Sequence, residues 1–245
     1  MQILEGQGVT KFFGGLAAVS NVDFAVGQGE IMGLIGPNGA GKTTLFNLIS
    51  GSFPLSSGEI RFKGQKISGL KPHRICRMGI GRTFQETKVF GNMSVLQNVL
   101  VGAFFGNPVG TSGSDAAREA TEALEFVGLT AMGASPINDL TLVNQKRVEV
   151  ARALATKPEL LLLDELMAGL TSTEVGEAME LVTRMHDKGI TILMVEHVMK
   201  AIMGVCMRVM VLHHGEKIAD GTCNEISCDR KVIDVYLGEQ THAGS

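Results

Sequence analysis

At 245 residues the chain can bury a sizeable core as one large domain, or as one domain carrying an inserted subdomain. It is 44% hydrophobic and 19% charged, ordinary values for a globular α/β protein. Its net charge of −3 excludes bulk attraction to nucleic acid or anionic lipid, though not a local basic patch. No apolar run is long enough to span a bilayer, and residues 1–6 lack the basic and apolar regions of a signal peptide. A cytosolic protein is expected, able to reach a membrane through a partner. The cysteines Cys76, Cys206, Cys223 and Cys228 form no C-x-x-C pair and read as free thiols of a reducing compartment.

Residues 4–10 and 19–26 read as β segments, with Gly14-Gly15 as a turn between them. A second turn at 27–30 leads into the apolar run Ile31-Met32-Gly33-Leu34-Ile35, a buried strand. Next comes Gly36-Pro37-Asn38-Gly39-Ala40-Gly41-Lys42-Thr43-Thr44, which satisfies every required position of the phosphate-binding pattern G-x-x-x-x-G-K-[ST]. Leu45 to Ile49 continue as a helix, so the order is strand, loop, helix, the context this motif needs. Without a Cβ, its glycines let the backbone wrap an anion closely, with amide N–H groups and a helix N-terminus aimed at phosphate. In that pattern Lys42 reaches the β- and γ-phosphates and Thr43 holds Mg²⁺.

Residues 58–64 alternate between glycines as a hairpin strand should, and 79–84 form a further short strand. Residues 94–101, 115–127 and 143–155 read as helices; in the second, Ala116, Ala120, Ala123, Leu124 and Val127 share one face. A loop over 106–113 separates the first two. Strand character returns at Leu160-Leu161-Leu162-Leu163-Asp164, whose unbroken apolar run marks a parallel sheet buried on both faces. Thr171-Ser172-Thr173-Glu174 has capping-box spacing ahead of a helix bearing Val175, Ala178, Met179, Val182 and Met185 on one side. A strand at 190–195, a closing hairpin over 208–212 and 217–220, a final helix near 229–237 and a frayed tail at 241–245 complete the order. His213-His214 reads as a strand end, its two rings on opposite faces and unable to share a metal.

The fold class is α/β, a parallel nucleotide-binding core formed by residues 1–87 and 151–245. A helical subdomain is inserted at 88–150, and the N-terminal strands add an antiparallel β layer. Asp164-Glu165 ends a buried strand, where ligands bind in open α/β sheets. The first acid suits Mg²⁺; the second suits a general base that activates water for in-line attack on the γ-phosphate. The competing reading of these acids is a strand-to-loop transition with solvated carboxylates.

Gln85 after Gly81-Arg82-Thr83-Phe84, and His197 after Ile192-Leu193-Met194-Val195-Glu196, complete a pattern with the loop and the acid pair. In this order and at these intervals they resemble the ATP-binding subunit of an ABC transporter over nearly the whole chain. The resemblance implies a P-loop NTPase of the ABC ATPase type. It makes Gln85 the lid glutamine that meets Mg²⁺ and senses the membrane partner, and His197 the switch histidine that contacts the γ-phosphate. It assigns adenine stacking to Phe13, with Phe12 as the alternative; for either, the competing reading is a plain core phenylalanine. The implied ligands are ATP and Mg²⁺. The implied partners are transmembrane permease subunits, a second ATPase subunit (the same or homologous) in a head-to-tail dimer, and indirectly a substrate-binding protein, with no nucleic acid. Such a subunit sits peripherally on the cytoplasmic face of the cell membrane. Residues 81–85, 195–200, 215–222 and 232–238 are most similar to the ATPase subunits of branched-chain amino acid importers.

The resemblance departs at three places. The family signature reads roughly Leu-Ser-Gly-Gly-Gln; here the segment is Leu140-Thr141-Leu142-Val143-Asn144. Thr141 keeps a hydroxyl and the helix N-terminus keeps its backbone donors, but Val143 stands in place of a glycine and limits close approach and φ > 0. In the family this segment caps the nucleotide of the opposite subunit. Val143 therefore weakens the partner's site if the partner is a different ATPase; otherwise the subgroup tolerates a loose signature. Ala168-Gly169-Leu170-Thr171 lacks a terminal aspartate, and Leu166 replaces a common proline. These departures keep a weakly hydrolysing regulatory subunit in view beside the transport ATPase. An ABC ATPase outside transport is a further alternative, disfavoured by the acidic charge and the lack of long coiled coils. No N-K-x-D element supports a GTPase.

Overall fold

The computed structural model describes residues 1–106 and 112–242, with 237–242 described by backbone alone. In chain order the elements are β1 (Gln2–Phe13), β2 (Leu16–Gly27), β3 (Ile31–Ile35), α1 (Lys42–Ile49), β4 (Ser57–Phe62), β5 (Gln65–Lys66), α2 (Pro72–Arg77) and β6 (Ile80–Arg82). There follow α3 (Val95–Gly106), α4 (Gly113–Phe126), α5 (Leu142–Leu154), β7 (Leu160–Asp164) and α6 (Ser172–Asp187). The chain closes with β8 (Thr191–Val195), α7 (Met199–Val205), β9 (Arg208–His213), β10 (Glu216–Gly221), α8 (Cys223–Cys228) and α9 (Arg230–His242). The chain divides into two compact units, one of Met1–Pro72 with the chain from Thr191 onward, the other of His73–Ile190.

In the first unit β3 lies between β8 and β9 and is parallel to both; Gly33 pairs with Met194 on one side and Val209 on the other. Every residue of β3 and β8 is buried, which is why these strands are continuous apolar runs rather than alternating ones. β10 extends this sheet as the antiparallel partner of β9. The turn between them is His214-Gly215, both with positive φ (46° and 81°), the backbone that matches strand twist in a two-residue hairpin. A separate antiparallel sheet runs in the order β2-β1-β4-β5. Its β1–β2 hairpin is longer at both ends than the alternation predicts, because register shifts along β1 break the period the sequence shows.

In the second unit β6 and β7 pair in parallel, Ile80 with Leu160 and Arg82 with Leu162. The predicted apolar face of α4 is buried throughout, with Ala116, Ala120, Ala123, Leu124 and Val127 at 7% exposure or less. Ser112 caps α4 and Thr141 caps α5, each side chain accepting from a backbone N–H three residues on. The capping box of α6 is complete: Thr171 accepts from the Glu174 N–H, and the Glu174 carboxylate accepts from the Thr171 N–H. Between α3 and α5 the backbones come close at Gly102, where a Cβ would lie 2.2 Å from the Arg152 carbonyl oxygen.

Several elements differ from the sequence reading. Helices α2, α7 and α8 are too short to show a helical period and were not predicted, although Thr222-Cys223-Asn224-Glu225 forms a second complete capping box. Thr241 and His242 belong to α9, where a frayed tail is expected from the sequence; the last three residues lie outside the described ones. So do residues 107–111, the middle of the expected 106–113 loop, whereas Gly106 ends α3 and Gly113 opens α4. The rings of His213 and His214 do not point apart. Their centroids are 4.0 Å from each other, because His214 has left the strand for the turn. Among the described residues no three histidine, cysteine or carboxylate side chains gather as metal ligands, and no helix is long and apolar enough to cross a membrane.

Gly102→Ala separates packing from propensity. Alanine favours an exposed helix by roughly 1 kcal/mol over glycine, but here its methyl group meets a carbonyl. The substitution is expected to destabilise by about 1–3 kcal/mol, read as a lower midpoint in urea or thermal unfolding. An unchanged or raised midpoint would show that α3 and α5 can part freely.

Candidate functional site

The phosphate-binding loop leaves β3 at Gly36 and enters α1 at Lys42. Gly36 has φ 150°, and a Cβ there would sit 2.1 Å from the Leu212 carbonyl oxygen of β9; at Gly41, φ is 102° and a Cβ would sit 2.4 Å from the Ala18 oxygen. No other residue type fits either position. The hairpin turn braces the loop, since the Gly215 N–H donates to the Ala40 carbonyl at 3.0 Å. Pro37 and Ala40 are buried, while Asn38 and Gly39 form the exposed crest. Gly41 precedes α1 and brings no side chain to cap it. The buried Lys42 folds back over the loop, its Nζ donating to the Gly36 and Pro37 carbonyls at 2.6 and 2.9 Å. Thr43 is exposed and Thr44 half-buried. A glycine-rich loop at a helix N-terminus, a buried ammonium resting on its carbonyls and the exposed Thr43 that follows are residue types that fit a polyphosphate and its hard divalent cation.

Phe12 and Phe13 are 49% and 44% exposed, which rules out a core role for either. Phe13 meets Phe53 edge to face at a centroid distance of 5.4 Å, with the Lys11 ammonium 5.1 Å from its ring centre. That braced, half-exposed ring offers a stacking platform. His197 is exposed immediately after β8 and the buried Glu196. The loop, Phe13 and His197 all belong to the first unit.

The second unit carries the acids. Asp164, 1% exposed, ends β7 and forms an ion pair with Arg82 at 3.0 Å; its N–H donates to the Thr83 hydroxyl at 3.1 Å. Burial pulls the Arg82 guanidinium down from its ordinary value, against the Asp164 carboxylate that holds it charged. Gln85 is exposed, and its side-chain amide donates to the Glu165 carboxylate at 3.0 Å, so the structure joins these two predicted residues directly. Glu165 itself has φ 51°, a left-handed conformation costly for a residue with a Cβ.

Helix α5 begins at the variant signature. The Thr141 hydroxyl oxygen caps the helix, accepting from the Asn144 N–H. Val143 lies within the first turn of α5 at negative φ, so the expected conformational objection to a β-branched residue does not arise. Its side chain lines a small pocket with Lys146, Leu166 and Leu170, whereas Leu142 is 49% exposed. The bulk that faces outward where the family pattern has glycine is therefore Leu142. Further along α5, the buried Glu149 accepts from the Lys88 N–H at 3.3 Å and pairs with Arg152. Burial pushes its carboxyl up, and the amides of Lys88 and Phe84 with the Arg152 charge restrain that rise. Arg82, Lys146 and Glu149 were absent from the sequence-derived set of site residues. The available signal was a pair of opposite charges one helical turn apart within the apolar stripe of α5.

A nucleotide-triphosphate loop on a parallel sheet, an exposed aromatic platform and a buried strand ending in two acids define an ATP-binding cassette. The chain belongs to the ABC transporter family, whose sequence profile matches residues 19–168. A profile described as the branched-chain amino acid ATP-binding cassette transporter matches residues 216–242. Over 97% of the chain it is 39% identical to the high-affinity branched-chain amino acid transport ATP-binding protein LivG of Escherichia coli K12, covering 98% of that protein. It superposes with TM-score 0.87 on the crystal structure of an ATP-binding cassette of an ABC transporter in its ADP conformation, 30% identical, covering 97% and 99% of the two chains. It also superposes, with TM-score 0.81, on a dimeric post-hydrolysis cassette bound to ADP and phosphate, 26% identical over 90% and 98%. The chain is thus the ATP-binding subunit of an ABC transporter, and ATP hydrolysis coupled to transport is its activity.

The cradle yields a direct test. Gly36→Ala forces a methyl group against the Leu212 carbonyl, and overpacking of about 1–3 kcal/mol is expected to weaken ATP binding by roughly tenfold or more. Gly176 on α6, with open space around its Cβ position and no positive φ, serves as the control. Binding by fluorescent-nucleotide titration that is equal for Gly36→Ala and wild type would contradict the cradle.

Proposed function

We propose that this chain binds MgATP as one half of a head-to-tail pair of ATPase subunits and drives branched-chain amino acid import through transmembrane permease subunits. It sits on the cytoplasmic face of the membrane, and a substrate-binding protein delivers the amino acid from the other side. The observation that carries the substrate class is the C-terminal match over 216–242, the stretch made of β10, α8 and α9. The similarity to LivG over nearly the full length of both chains supports it.

In this reading Phe13 stacks on adenine, and the amides of Gly36 to Thr44 hold the phosphates. Lys42 gives up its loop carbonyls for the β- and γ-phosphate oxygens, an exchange of neutral acceptors for anionic ones. Thr43, Asp164 and Gln85 supply oxygen ligands for Mg²⁺, which when bound neutralises charge on the phosphate oxygens. Gln85 offers its side-chain oxygen for the metal while its amide N–H donates to one Glu165 oxygen, and the Glu165 carboxylate keeps acceptor capacity for a proton from water. His197 donates to the γ-phosphate. Thr141 and the N-terminal amides of α5 cap the nucleotide of the opposite subunit, and Leu142 stands between them and it.

Glu165→Gln is expected to leave MgATP affinity within about twofold while lowering hydrolysis by about 10²–10⁴-fold. It should also accumulate an ATP-bound dimer on size exclusion; undiminished hydrolysis would remove Glu165 from the role of base. In a pair with a different ATPase subunit, Leu142→Gly should raise turnover at the partner's site, assayed with the Glu165→Gln lesion in this chain. Val143→Gly should change it little. An equal or larger effect from Val143→Gly would return the obstruction to that residue. Affinity purification from gently solubilised native membranes should recover polytopic permease subunits; recovery of soluble nucleic-acid or ribosomal proteins alone would overturn the transport reading.

A further inference from the structure

The strain at Glu165 has a visible restraint. Lys146, on α5 one turn beyond the signature, is 7% exposed. Its ammonium donates to three carbonyl oxygens of the segment that follows β7: Glu165 at 3.1 Å, Leu166 at 2.9 Å and Ala168 at 2.7 Å. A lysine ammonium has three N–H donors and no acceptor, and each is matched here by a carbonyl. Val143, Leu166, Leu170 and Leu181 are among the residues lining the pocket beside it, and a hydrogen bond whose donor is ionised is stronger than a neutral one. The gripped segment starts at the residue whose φ is 51°. A left-handed backbone at a residue with a side chain persists only where its surroundings over-determine it.

We infer that Lys146 is a positioning residue for Glu165: its ammonium holds the carbonyls of Glu165, Leu166 and Ala168 together and thereby aims the Glu165 carboxylate at the attacking water. Lys146 takes no proton and touches no nucleotide. Its effect passes wholly through the backbone of Glu165, and this rests on the reading of Glu165 as the general base. Because Thr141 caps the helix that carries Lys146, a shift of this helix at the opposite subunit's nucleotide carries the chain's own base with it.

The test is a double-mutant cycle in the full chain assembled with its transporter partners. Lys146→Met keeps most of the stem and removes the donors. It is expected to lower kcat by about 10- to 100-fold, the loss a displacement near 1 Å produces, with equilibrium MgATP affinity and KM within about twofold. In the Glu165→Gln background the same substitution should cost nothing further, since residues acting as one unit are non-additive. A loss that persists there, a matching loss of MgATP affinity, or undiminished kcat in Lys146→Met overturns the proposal. The single Glu165→Gln variant judges the base assignment separately: full activity there removes both, whereas its loss beside an unaffected Lys146→Met removes only the positioning role. If Lys146→Met does not fold, Lys146→Arg replaces it. A planar guanidinium cannot place donors at three converging carbonyls as an ammonium does, so kcat falls by about threefold or more, again only where Glu165 is present. A folded Lys146→Arg with wild-type kcat overturns the proposal.

Discussion

Everything in the first unit follows from the need to bring backbone amides against a polyphosphate without a side chain in the way. Gly36 and Gly41 are pressed against the Leu212 and Ala18 carbonyls, at distances that only a hydrogen in place of a methyl group allows. That closeness requires β9 beside β3, in parallel register from Met32↔Arg208 to Ile35↔Val211. It also requires the His214-Gly215 turn that returns the chain as β10 and lends the Gly215 N–H to the loop. Lys42 then has a place to wait: its ammonium rests on loop carbonyls, ready for anionic acceptors.

The second unit solves a different problem, that of keeping charged groups buried and correctly aimed before a nucleotide arrives. Asp164 is held by Arg82, Glu165 by Gln85 through its side chain and by Lys146 through its backbone, and the Phe84–Lys88 segment by Glu149. Removing one partner of a buried pair such as Arg82–Asp164 leaves an uncompensated charge, which costs about 3–5 kcal/mol. Most of these restraints come from β6 and α5, so the helix that opens with the signature is also the scaffold of the chain's own acids.

The legible part of this design was the part with a period or a pattern. Continuous apolar runs announced β3, β7 and β8, and turn chemistry announced the hairpin at His214-Gly215. The phosphate-binding loop and the acid pair were readable because their chemistry requires fixed residue types at fixed spacing. Short helices such as α2, with a single buried residue at Ile75, leave no period to read. The cage around Lys146 was invisible for another reason: three of its four members are backbone carbonyls, and carbonyls have no sequence signature. The same limit misplaced the obstruction at the signature. Leu142 and Val143 both stand where the family has glycine, and only the cap at Thr141 decides which of them turns outward.

The central claim is that ATP hydrolysis by this chain drives branched-chain amino acids inward. It is tested most directly by loading proteoliposomes, which carry the assembled transporter, with MgATP at the face where this chain sits and measuring labelled leucine taken up from the other face. Uptake that requires ATP and the substrate-binding protein, is competed by isoleucine and valine, and stops with Glu165→Gln is the predicted result. Normal ATP hydrolysis with no accumulation of any branched-chain amino acid would contradict it and assign this cassette to another cargo.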